Sequence, residues 1–72
     1  MNRKEHLDWC KERALKYVDD NDLINAFASM TSDLGKHPDT ENHVGIEMGM
    51  MLVVSGQLDT QDKMRNYIEG FN

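Results

Sequence analysis

The chain has 72 residues, a formal net charge of −5 and a single cysteine, Cys10. This length suits one domain, here expected over residues 1–72, and one cysteine excludes an internal disulfide, so a metal or a partner subunit is the reinforcement left for a thin core. The charge is uneven: residues 1–17 carry five Lys/Arg against three acidic residues, and residues 18–72 carry three against ten, which argues against a broad basic face for DNA or RNA.

The polar N-terminus lacks the apolar core of a signal peptide. The most apolar run, Met48 to Val54 with Gly49 inside it, is too short to span a bilayer. A lone cysteine fits a reducing compartment, so the cytoplasm is expected and no membrane partner is.

Four helices are expected. The first spans about Arg3 to Val18, opened by Asn2 and Glu5 in capping-box spacing. Leu7, Cys10, Ala14, Tyr17 and Val18 share one face. Asp19-Asp20-Asn21-Asp22 then suits a turn, and its carboxylates suit the start of the next helix. The second helix spans Asp22 to Leu34, with Leu23, Phe27, Met30 and Leu34 as its stripe. Gly35 stands where a left-handed C-terminal cap is wanted, and Pro38 follows.

The third helix is expected from Thr40 or Glu41 to Ser55, capped by Asp39 or Thr40 and ended by Gly56. Val44, Met48, Met51 and Leu52 mark one face, while Ile46, Met50, Val53 and Val54 cover much of the rest. A helix apolar nearly all round is buried or lies at an interface. Met48 and Met51 read as core filler, whereas Met50 points away from them and reads as a candidate contact. Gly45 and Gly49, one turn apart, would let another helix approach closely. The fourth helix spans Thr60 to Glu69, with Met64, Tyr67, Ile68 and Phe71 on its buried side. The expected architecture is an all-α bundle of about four short helices, the first two packed as an antiparallel hairpin.

Cys10 to Pro38 resembles one tetratricopeptide-type hairpin. Ala14 and Tyr17 stand at its small and aromatic positions, followed by Ala26, Met30 and Pro38. Cys10 and Arg13 replace the large residue and the leucine of that motif. One copy is too few for a repeat array, so the resemblance implies a helix pair and not a peptide-binding superhelix. The whole chain also resembles a family of short bacteriophage-encoded proteins of no established activity. That resemblance rests on Trp9-Cys10-Lys11-Glu12-Arg13-Ala14-Leu15, Ser29-Met30-Thr31-Ser32-Asp33-Leu34, Lys36-His37-Pro38, His43-Val44-Gly45-Ile46, Gly49-Met50-Met51-Leu52 and Ile68-Glu69-Gly70-Phe71-Asn72. It implies a setting in which small proteins bind and inhibit host machinery.

His6 and Cys10 lie four apart on one helix face, within reach of one zinc ion, but two ligands are too few. His37 and His43 could join them only if the second turn folded back. The simpler reading is a buried structural thiol with histidines at turns and helix ends. Nothing marks Cys10 as activated, and no Gly-rich phosphate loop is present, so neither enzymatic activity nor a cofactor is expected. Trp9 falls on a polar face among Glu5, Glu12, Arg13 and Lys16. It is either an interface anchor rimmed by Arg13 and Lys16 or a ring covered by the fourth helix or the tail.

The leading functional expectation is a protein-interaction module, a phage-encoded modulator or inhibitor of a host protein. Its partner-binding candidates are Trp9, Arg13, Lys16 and Met50. Two alternatives stand beside it: a self-associating subunit that pairs its third helix across a two-fold axis as a homodimer, and a small-ligand or nucleotide sequestering protein.

Overall fold

A computed structural model describes residues 2–72. Its four helices are α1 (Arg3–Asp19), α2 (Leu23–Leu34), α3 (Val44–Val54) and α4 (Gln61–Glu69), with no strand among the described residues. The architecture is therefore the expected all-α bundle.

Helix α1 begins with the full capping box: the Asn2 side chain accepts from the Glu5 N–H at 2.8 Å, and Glu5 reaches back to the Asn2 N–H. It ends in a Schellman turn. The Asn21 N–H donates to Val18 O, the Asp22 N–H donates to Tyr17 O, and Asn21 takes the left-handed conformation at φ 56°. Asp22 then caps α2. This tight turn folds α2 back on α1, so His6 near the start of α1 meets Asp33 near the end of α2. Ala14 and Ala26 are fully buried between the two helices, small enough to let the backbones approach. Tyr17, expected on the buried stripe, stays 39% exposed at its edge.

Helix α4 runs antiparallel to α1. The Gln61 amide donates to Val18 O, Arg65 pairs with Asp19 at 2.9 Å, Lys11 donates to Glu69 O, and Arg3 donates to Asn72 O. One cluster joins Leu7, Cys10, Ala14 and Val18 of α1, Ala26, Met30 and Leu34 of α2, Leu58 of the third turn, Met64 and Ile68 of α4, and Phe71 of the tail. The tail thus docks through its ring, as expected.

Two capping expectations are corrected, although α2 ends at Leu34 as expected. Gly35 is right-handed, with φ −69°. The chain beyond it makes further right-handed turns, and the buried Thr40 hydroxyl captures Leu34 O at 2.6 Å. That bond satisfies a terminal carbonyl of α2, so no left-handed residue is needed there. Thr40 is consequently not the cap of α3. His43 is: its Nδ1 accepts from the Gly45 N–H at 2.9 Å, and α3 starts at Val44. At the other end Gly56 closes a true Schellman turn at φ +74°, with Gln57 N–H donating to Leu52 O.

The contrast between these two glycines makes a paired prediction. Gly35→Ala should stabilise by about 0.4–1 kcal/mol, because its backbone already suits alanine. Gly56→Ala should destabilise by about 1–2 kcal/mol, the cost of a Cβ in the left-handed region. Urea unfolding midpoints check both signs.

Candidate functional site

The third helix departs most from expectation. Of its residues only Gly49 is buried. Met48 and Met51, expected as core filler, are exposed, and so are Val44, Met50, Val53 and Val54, with Met51 at 73% and Val54 at 89%. The cause lies on the inner edge of the helix. Gly45 rests against the Phe71 ring, and Gly49 rests against Tyr67 and Phe27. The Tyr67 hydroxyl donates to Gly45 O at 2.8 Å. Thus it is an aromatic group, Phe27, Tyr67 and Phe71, that uses the two glycines, where the sequence suggested another helix. With glycines facing inward, most of the larger apolar side chains of α3 face out, and only Ile46 and Leu52 pack partly against the core.

The outward arc runs Met50, Val54, Glu47, Met51, Val44 and Met48 around the helix, apolar except for Glu47. Val44, Met48 and Met51 form a ridge at i, i+4 and i+7 spacing. Beside it a groove of about 590 Å³ opens between α3 and α4, and Met48, Leu52, Leu58, Tyr67 and Phe71 form most of its apolar wall. The volume suits a small ligand, but the polar groups at its margin are few: His43, Gln57, Lys63 and Asn66.

A second cluster lies where α1 meets the end of α2. The Asp33 carboxylate is 2% exposed, and Arg13 Nε at 2.8 Å and Lys36 Nζ at 3.0 Å each hold one of its oxygens. Both cations also flank Trp9, with Arg13 Cζ 4.8 Å and Lys36 Nζ 5.5 Å from the ring centroid. Trp9 is half-buried against the core, beside His6 at 5.7 Å between ring centroids. Its cover is these two cations, whereas α4 and the tail dock elsewhere on α1.

Of the four residues singled out from the sequence, Trp9 and Arg13 come together. Lys16 is exposed on α1 one turn beyond Arg13, and Met50 is on α3. No hydrogen bond, ion pair or ring contact joins these last two to Trp9. Asp33 and Lys36 were missed, and His6 was considered only with Cys10 as a zinc ligand, not as a neighbour of Trp9. The Asp33–Lys36 spacing of three was a legible signal; the burial of Asp33 and His6 inside an apolar stripe was not.

The His6–Cys10 pair forms no nucleophile and base. The Asp33 carbonyl can only accept, so His6 Nε2, 2.9 Å away, carries the proton and donates. Cys10 Sγ lies 3.5 Å from that same nitrogen, which has no lone pair left to take the thiol proton. Burial, and secondarily the Asp33 charge, push the Cys10 thiol up from 9.0 to about 11. Among the described residues no three His, Cys, Asp or Glu side chains converge as metal ligands.

These environments fix an alkaline trend. Burial also raises the Tyr67 phenol, from 10.0 to about 12. In each case the unfolded chain loses the proton first and the folded chain retains it. The stability tied to Cys10 is therefore intact below about 9 and is lost as pH rises through about 11; for Tyr67 the window is about 10 to 12. Melting temperature should fall steadily across this range, and Cys10→Ala should flatten its lower part. An unchanged slope in that variant would remove Cys10 as a cause.

No helix among the described residues is long and apolar enough to cross a membrane. Neither a protein-family model, nor a curated protein, nor a solved structure matches the chain.

Proposed function

We propose that the chain is a protein-interaction module, a phage-encoded modulator or inhibitor of a host protein in the bacterial cytoplasm. The observation that carries this reading is the outward apolar arc of α3. Exposed apolar surface is unfavourable by roughly 25 cal/mol per Å², and a contiguous patch on so small a protein marks a contact surface. The net charge of −5 disfavours an anionic lipid surface as that contact. The phage setting is supported by the sequence resemblance alone.

Recognition of the host target is assigned to the Trp9 flank. Trp9 supplies an aromatic anchor, and Asp33 holds the Arg13 guanidinium in one pose, which lowers the entropy cost of a further contact. Lys16 extends the charged rim. The test is a tagged pull-down from bacterial lysate with Trp9→Ala as the matched control, both shown folded by helical circular dichroism. One host protein retained saturably by the wild type and lost with the variant is expected. No host protein above background, from folded wild type, would overturn the reading.

A further inference from the structure

We infer that the occupant of the α3 arc is a second copy of this chain, related by a two-fold axis through the Val44–Met48–Met51 ridge. The inference rests on the reading of α3 as an association surface and names its partner.

Three observations favour a second copy. The first is shape. An apolar ridge runs directly beside an apolar groove, and Met48 belongs to both. A two-fold axis makes such a surface self-complementary, since the ridge of each copy enters the groove of the other. Unbranched methionines adapt to irregular walls, which suits Met48 and Met51 as the inserting side chains.

The second is area. At their observed exposures, Val44, Met48, Met50, Met51 and Val54 present on the order of 600 Å² of the 4571 Å² total surface, to which the groove walls add, against the ~800 Å² per partner of a standard interface. The third is composition. Glu47 is the one charged residue of α3, and it lies between Val54 and Met51 on the arc, on the side of the ridge away from the groove. A contact core without charges is the mark of permanent pairs.

The charge of the chain gives this dimer a signature. Two bodies of −5 repel, and salt screens that repulsion. Dimerisation should therefore tighten as salt rises. Binding of α3 to a basic partner would weaken instead.

The experiment is sedimentation equilibrium of the full chain at micromolar concentration, at low and high salt, for wild type, Met51→Glu, Met48→Lys and Lys16→Glu. The wild type should show twice the 8.3 kDa chain mass. Both α3 variants change exposed side chains and should keep their helical circular dichroism. Each should weaken pairing by at least about a hundredfold, because the axis places the new charge against its own copy. Lys16→Glu should leave pairing intact at high salt, where its added repulsion is screened. A monomeric wild type, or a dimer indifferent to both α3 variants, would overturn the inference. If the wild type is monomeric while Met51→Glu abolishes retention of a host protein, the second copy is excluded and the interaction reading survives. If the wild type neither dimerises nor retains a host protein, both fall.

Discussion

Replacing both Arg13 and Lys36 by alanine is expected to destabilise the fold by about 3–5 kcal/mol, the range for a buried charge stranded without a partner. Asp33 is 2% exposed, and these two side chains hold its two carboxylate oxygens. Removing the carboxylate instead should cost less. Arg13 and Lys36 have side chains 48% and 56% exposed, so in Asp33→Ala both cations return to water and nothing charged is left buried. The loss is then two charge-assisted hydrogen bonds with exposed donors, about 1–3 kcal/mol together. The two costs are strongly non-additive. Adding Asp33→Ala to the Arg13→Ala, Lys36→Ala protein should restore most of its stability, leaving it close to Asp33→Ala alone. Urea unfolding of the four proteins tests this, and a triple variant less stable than the double would show that the carboxylate is not the stranded group. The same set bears on Trp9. With both cations gone its ring loses its cover, so quenching of its fluorescence by a neutral solute should increase.

The fold was legible wherever the determinant is local. The Asn2–Glu5 capping box, the Asp22 cap, the Schellman turn at Gly56 and the buried stripe of α4 each depend on residues a few positions apart. Gly35 and Thr40 were misread because a distant preference overrode a local one. Thr40 has good capping chemistry for α3, but its hydroxyl meets Leu34 O, six residues back. That bond leaves the N-terminal cap of α3 to His43, whose side chain is an unusual acceptor at that position.

The third helix was misread for a different reason. Its apolar residues surround it, so periodicity assigns no inward side. Orientation is set by what the rest of the bundle offers, and here that is three aromatic rings, which need the space of Gly45 and Gly49. The pair Trp9 and Arg13 could be read from their spacing of four on one helix. Their link to Asp33, 20 residues on from Arg13, could not. Buried His6 and Asp33 belong to the same blind spot. A polar side chain in a core is tolerated because of partners on another element, His6 by the Asp33 carbonyl and Asp33 by two cations.

Gly49→Ala tests whether the aromatic seat governs α3. Two effects of opposite sign compete. Alanine is favoured over glycine inside a helix by about 1 kcal/mol. Against that, a Cβ at this position would overlap the Tyr67 hydroxyl and ring and lie 2.8 Å from Phe27 Cε1. Tyr67 is held by contacts at its hydroxyl and its ring. Its hydroxyl donates to Gly45 O, and its ring lies 6.0 Å from Phe27 and 5.1 Å, edge-on, from Phe71. Overpacking costs about 1–3 kcal/mol, and displacing Tyr67 forfeits a hydrogen bond of about 1 kcal/mol more. The clash should win, with a net loss of about 1–3 kcal/mol in urea unfolding. Tyr67→Phe supplies the control. Alone it removes only the hydrogen bond, and it also removes the oxygen nearest the new Cβ, so Gly49→Ala should cost less in that background than in the wild type. Equal costs in the two backgrounds would mean that the Tyr67 hydroxyl does not set the distance between α3 and α4. A stabilising Gly49→Ala would mean that α3 rides free of the ring altogether, and the outward arc would then need another cause than the glycine edge.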